Sequence, residues 1–179
     1  PLRLIIGQNA LNAANASFKR YAVAQKTLDD ASAKATAAIA KRRLTALWIY
    51  QANKESGGDQ VTASIYSSDQ NPAARVRLIL RRHPAWGDSV YLVLEMSALR
   101  CGPPCTLQLR FDDGEPARYA GEPADTGTGP ALFIKDRARF LAAMQGAKRL
   151  RVELPANGAL VPRFEFELAG FDPDRTEAD

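Results

Sequence analysis

Two rhythms of apolar and polar positions divide the chain. Between Asn12 and about Leu47, small and apolar residues return at three- and four-residue steps with no Gly or Pro, which predicts one long helix. Phe18, Tyr21, Ala22, Gln25, Leu28, Ser32, Ala35 and Ile39 fall in a narrow stripe along one side of it. Most of these residues are small, and Gln25 and Ser32 interrupt the stripe, so it suits close packing on a neighbour better than a deep core. The rest of this chain is the simpler neighbour. A second copy of the same helix, giving a homodimer, is the sharper one.

From Trp48 onward the period shortens to two. Trp48, Ile49 and Tyr50 are strand formers followed by a turn over Glu55–Asp59, and Val61–Ser67 reads as a first strand. Arg75–Arg81 and Ser89–Met96 place Val76, Leu78, Leu80 and Val90, Leu92, Leu94 on single faces, as in an antiparallel sheet buried on one side. His83–Gly87 turns the chain between them, with His83 expected on the surface of that turn. Thr106–Phe111 follows with Leu107, Leu109 and Phe111 inward, then an Asp113-Gly114 turn with Gly at positive φ and a return strand near Ala117–Ala120. After the loop Gly121–Pro130 come a short apolar run at Ala131–Ile134 and a helix capped by Asp136 and stopped by Gly146. Lys148–Leu154 and Arg163–Leu168 alternate and are expected to pair through Asn157-Gly158.

These elements predict an α+β fold: a long N-terminal α-helix, then an antiparallel β-sandwich-like domain or curled sheet with one short packed helix. The expected divisions are a helical arm over residues 1–47, a β-rich domain over 48–172 and a disordered polar tail over 173–179. A chain of 179 residues with 46% hydrophobic content has room for one packed domain and an appendage, and no run of 18 apolar residues is present. Because the chain opens at Pro1 and not at Met, it reads as a processed or truncated form, and any signal or membrane anchor would lie upstream. Leu2, Leu4, Ile5 and Ile6 read either as the tail of such a segment or as a short buried patch.

The net charge of +4 is unevenly spread. Residues 1–54 hold nine Lys or Arg against Asp29 and Asp30, whereas the remainder carries a slight acidic excess. Lys41, Arg42 and Arg43 complement the negative end of the helix dipole. Basic residues interleaved with aromatics, or a reading motif, are lacking, so nucleic acid is not an expected partner.

Cys101 and Cys105 are the only two cysteines, and Gly102-Pro103-Pro104 between them restricts the loop and keeps the sulfurs close. They read as a structural disulfide in an oxidising compartment. A thioredoxin-type motif has two residues between its cysteines and opens a helix, whereas Cys105 opens a strand. With one histidine, His83, a zinc site is short of ligands, and a Cys–His nucleophile pair would need His83 beside Cys101. Asp112 and Asp113 are adjacent strand-end residues whose carboxylates would not converge for acid–base work, and turn chemistry accounts for both. No phosphate loop, nucleophile elbow or metal motif is found. Neither a metal nor a cofactor is expected, and the chain does not read as an enzyme.

Trp48 with Tyr50, Arg81–Gly87, Cys101–Gly114, Leu132–Ile134 and Phe164–Gly170 resemble a family of bacterial envelope-associated domains of unknown biochemical function, marked by a Cys pair before an RFDDG strand. The resemblance leaves the helical arm outside and departs from the family at NKESGGD, residues 53–59. It implies a setting in the periplasm or anchored to the envelope facing it. Since similar domains accompany secretion systems, it also implies a secretion-accessory role, and it brings no catalytic residues. The expected function is therefore non-catalytic binding of a protein partner in the envelope, with Trp48, Tyr50, Trp86 and Tyr91 as contact residues. The alternative is an inhibitor or immunity-type protein that neutralises a secreted toxin, using Glu122 and Asp125 of the Gly121–Pro130 loop.

Overall fold

The computed structural model describes residues 2–68, 75–94, 101, 104–124, 131–154 and 163–176, with the side chains of the first helix from Gly7 onward. Two units are separable, residues 1–42 and 43–179. Helix α1 runs over Leu2–Thr45, ten residues earlier than the Asn12 start expected from composition, because Leu2–Leu11 are also compatible with helix. Every described side chain from Gly7 to Arg43 is exposed. Among the described residues, no helix is long and apolar enough to cross a membrane.

The second unit is α+β and, among the described residues, holds nine strands: β1 Ile49–Glu55, β2 Gly58–Tyr66, β3 Val76–Arg82, β4 Ser89–Leu94, β5 Thr106–Phe111, β6 Ala117–Pro123, β7 Ala131–Ile134, β8 Arg149–Glu153 and β9 Arg163–Glu167. They form one antiparallel sheet in the order β1-β2-β3-β4-β7-β6-β5-β8-β9. Helix α2, Arg137–Met144, sits between β7 and β8 in sequence. Asp136 caps it as expected, its Oδ1 accepting from the Arg139 amide at 3.2 Å, and Gly146 leaves it at φ 78°.

β6 turns the corner of the sheet. Its first residues pair with β5 and its last three, Gly121–Pro123, pair with β7. The sheet is thereby curled over one core. Ser68 beyond β2 donates its amide to the Glu165 carbonyl of β9 at 2.8 Å, so the two halves also meet on the other side. Val76, Leu78, Leu80, Val90, Leu92, Leu107, Leu109, Leu132 and Ile134 point inward as their alternation requires, and Phe140 and Met144 of α2 join the same core.

β1 was not legible as a strand. Its residues after Tyr50 are polar and exposed, and it exists by pairing with β2 from Ile49↔Ser64 to Glu55↔Gly58. Gly57 and Gly58 carry the turn at φ 92° and 132°, conformations that favour glycine. The Asp113-Gly114 turn differs from expectation in its left-handed residue, which is Asp112 at φ 49°. An Asp tolerates this conformation when its side chain bonds locally. Here the carboxylate accepts from the Lys148 and Arg149 amides at 2.9 and 2.8 Å, pinning the start of β8 to the end of β5. Asp113 points to solvent near Arg149, and the two carboxylates do not converge.

The expected frayed tail is folded through Thr176. Pro173–Thr176 make a 3₁₀ turn, Arg82 donates to the Thr176 carbonyl at 3.2 Å, and the Arg175 guanidinium lies 4.1 Å from the Tyr50 ring centroid. The Asn157-Gly158 turn and residues 125–130 of the Gly121–Pro130 loop lie outside the described residues, although β8 and β9 pair as expected from Arg149↔Glu167 to Glu153↔Arg163.

Cys101 and Cys105 form a disulfide, with Cα atoms 5.2 Å apart. It closes against β6, where a Cβ on Gly121 would stand 2.4 Å from the Cys105 sulfur, so glycine is what lets the bridge lie flat on the corner strand. A disulfide of this kind belongs to an oxidising, non-cytoplasmic location. The ring is small, with a sequence separation of 4. Replacing both cysteines with Ser is therefore expected to cost only about 2 kcal/mol in urea unfolding, the loop-closure term for so short a ring. A loss several times larger would mean that the bridge holds the core itself together.

Candidate functional site

The strand period sends Arg77, Ile79 and Arg81 of β3 to the outer face, and cross-strand register places Tyr91 opposite Ile79 and Phe133 opposite Tyr91. Ile79 and Val93 are buried although they face outward, so the outer surface of β3 and β4 has an apolar base of its own. Tyr91 and Phe133 pack ring to ring with centroids 5.1 Å apart. The Arg81 guanidinium lies between two rings, 5.9 Å from the Tyr91 centroid and 6.0 Å from that of Trp86. Such cation–π contacts hold a flexible arginine in place without occupying its N–H donors.

Trp86, 54% exposed, closes the end of this surface. Its ring stacks on His83 with centroids 3.8 Å apart and planes 7° from parallel. His83 was expected on the surface of the turn, but it is only 2% exposed. Trp86 covers one side of it, and on another the β1–β2 turn approaches, with Gly57 placed so that an added Cβ would meet the His83 Cε1 at 3.6 Å. A Cβ on Gly58 would stand 2.3 Å from the Pro84 side chain, so the paired glycines let the two turns pack at close range. His83 Nδ1 accepts from the amides of Ala85 and Trp86 at 3.2 and 3.0 Å, so in the neutral ring the proton sits on Nε2.

That Nε2 is buried and has no hydrogen-bond partner among the described residues. The same is true of Arg81 Nε and of the hydroxyl of Ser89, which stands directly across from Arg81 in the β3–β4 register. Buried polar groups in folded proteins are nearly always paired, because leaving one unmade costs on the order of 1–3 kcal/mol. Three lie in one hairpin, and the Trp48 indole nitrogen in the core is a further one. Burial raises the pKa of the Tyr91 hydroxyl, partly offset by Arg81 and Arg77, so it stays protonated and able to donate at neutral pH.

The structure divides the contact residues expected from sequence. Trp86 and Tyr91 belong to this surface. Trp48 does not: it immediately precedes β1 on the inward parity it shares with Tyr50, and it is buried in the core, 4.9 Å from the Phe171 ring. Tyr50 is also on the inner side, half-buried, with its hydroxyl accepting from the Asp172 amide at 2.7 Å. Burial raises its pKa, and the accepted amide hydrogen bond opposes this. Glu122 stands opposite Phe133 at the rim and is paired with Lys135, whereas Asp125 lies outside the described residues. Sequence reasoning missed Arg81, Ser89 and Phe133; the signal available was their shared outward parity next to Tyr91. Among the described residues, no group of three or more His, Cys, Asp or Glu could hold a metal, and neither cysteine is a free thiol.

No protein-family model matches the sequence, and no curated protein sequence matches it. Among solved structures, the chain is similar to the crystal structure of invasion associated protein B from Bartonella henselae, at 14% sequence identity and a TM-score of 0.47, over 69% of this chain and 85% of that one.

Proposed function

We propose that this chain is a non-catalytic binding protein of the bacterial envelope, facing the periplasm, whose β unit holds a protein partner as an accessory to secretion. The observation that carries this reading is the hairpin surface where the exposed Trp86 and the ring of Tyr91 flank the Arg81 guanidinium. Tryptophan, tyrosine and arginine around a small apolar base are the residue types that dominate protein–protein hot spots. A protein partner offers backbone carbonyls and carboxylates to the Arg81 guanidinium beside the exposed Trp86. The long helix serves the same reading by pairing with its counterpart in a second copy, which doubles the binding surfaces on one assembly.

The test is site-specific photo-crosslinking in periplasmic extract, with a benzophenone amino acid at position 86 and, as control, at the exposed Asp113. A discrete protein adduct from position 86, absent from position 113 and lost when Arg81→Ala is added, is the expected result. Equal labelling at both positions, or none at 86, overturns the assignment of this face.

A further inference from the structure

The β unit carries a second recognition feature, at the mouth of the curled sheet. A cleft of about 780 Å³ opens between the end of α2, the β3–β4 hairpin and the segment Leu168–Thr176. Its size falls in the range of small-ligand sites, roughly 300–1,000 Å³. Leu80, Val90, Met144 and Leu168 line it from the core, and Leu141 and Phe171 line it nearer the surface. These six side chains offer no hydrogen-bonding atom except the weak thioether acceptor of methionine.

The polar rim is one-sided. Arg81, Arg82, Arg137 and Lys148 border the cleft, and Asp88 is the one carboxylate among its lining residues. Asp88 Oδ2 accepts from Arg137 at 2.6 Å and lies 3.9 Å from the Arg82 Nε. Lys148 is exposed and its ammonium has no ion pair among the described residues. An apolar interior beneath a rim with a net positive charge is complementary to an apolar chain ending in an anion. A peptide would be expected to add to a sheet edge, but the edge strands β1 and β9 contribute no lining residue.

We infer that this cleft binds a single-chain fatty acid, its hydrocarbon chain against Leu80, Met144, Leu168 and Phe171 and its carboxylate at Lys148 with Arg82. Arg81 and Ser89 of the hairpin also border the cleft, but the inference rests on the apolar walls and on Lys148 with Arg82, and it survives if the Trp86–Tyr91 face proves to be inert. A charge-assisted hydrogen bond supplies the selectivity for an anion, and the apolar walls supply the affinity.

Calorimetric titration of the full chain with palmitate, below its aggregation threshold, is the test, with hexadecanol as a neutral chain of matched length. Palmitate is expected to bind with one site per chain, and hexadecanol and the Lys148→Glu variant to show affinity at least about tenfold weaker, the effect of one charge-assisted contact. Ala142→Trp, at an exposed lining position, is expected to abolish binding by filling the cleft while the melting temperature stays unchanged. Trp86→Ala is expected to bind palmitate normally, which separates this site from the protein-binding face. Absence of palmitate binding, affinity unaffected by Lys148→Glu and Ala142→Trp, or binding instead of a peptide ending in apolar residues and a free carboxylate would each overturn the inference.

Discussion

Phe18→Glu combined with Leu28→Glu is expected to convert the proposed dimer into a monomer in sedimentation equilibrium. The reason lies in the spacing along α1, which continues the stripe over the helix start that the structure reveals. Leu11, Phe18, Gln25, Ser32 and Ile39 recur every seven residues, with Ala14, Tyr21, Leu28 and Ala35 three positions after the first four, the spacing that the proposed pairing of two helices requires. Leu11, Phe18, Tyr21, Leu28 and Ile39 on that seam are 54–73% exposed in the single chain, so each has apolar surface to bury against a second copy. Each buried carboxylate without a partner costs at least about 2 kcal/mol, and four enter every dimer of the double variant. Its dissociation constant should therefore rise more than about a thousandfold. Val23→Glu is the control, because Val23 is exposed yet lies away from the seam, and it should leave the dimer intact. A wild-type chain that remains monomeric at high concentration, or a double variant that still dimerises, would remove the helix from the proposed assembly.

Gly170→Ala should be the most damaging small substitution in the β unit. Gly170 has φ 105°, and a Cβ there would lie 2.5 Å from the Leu44 carbonyl carbon, 2.7 Å from its oxygen and 2.7 Å from the Thr45 nitrogen. These are backbone atoms and cannot swing aside as a side chain does. Relief requires the turn to move, and that turn holds Phe171 against Trp48 and the Asp172 amide on the Tyr50 hydroxyl. Strain and overpacking together should cost about 2 to 6 kcal/mol in urea unfolding. Gly7→Ala provides the contrast: nothing lies within 4 Å of its added Cβ, and the substitution should stabilise the helix by about 0.5–1 kcal/mol. A Gly170→Ala protein as stable as the parent would show that the 168–171 turn is not anchored as described.

Much of the fold was readable where one side chain in two had to be buried. β3, β4, β5 and β8 betray themselves through Leu and Val at alternate positions, and α2 through Asp136 before it and Gly146 after it. β1 gave no such signal, since beyond Tyr50 this edge strand is exposed on both faces, buries too little to leave a pattern and is held by its ladder with β2. Of the candidate surface, Trp86 and Tyr91 were legible as large amphipathic residues. His83 was misplaced because burial of a turn depends on what packs over it, and the covering elements are Trp86 and a turn some 25 residues upstream in the chain.

The order of residues alone determined the long helix, the antiparallel pairs and the bridge between Cys101 and Cys105, since each depends on contacts between near neighbours along the chain. Only the tertiary structure decided that Trp48 serves the core while Arg81, His83, Ser89 and Phe133 gather around Trp86 and Tyr91. It also decided that α2, the β3–β4 hairpin and the final turn leave a cleft with a cationic rim. Those outcomes depend on strand order and on the corner in β6, and a local pattern of apolar residues carries no information about which distant strand will lie beside it.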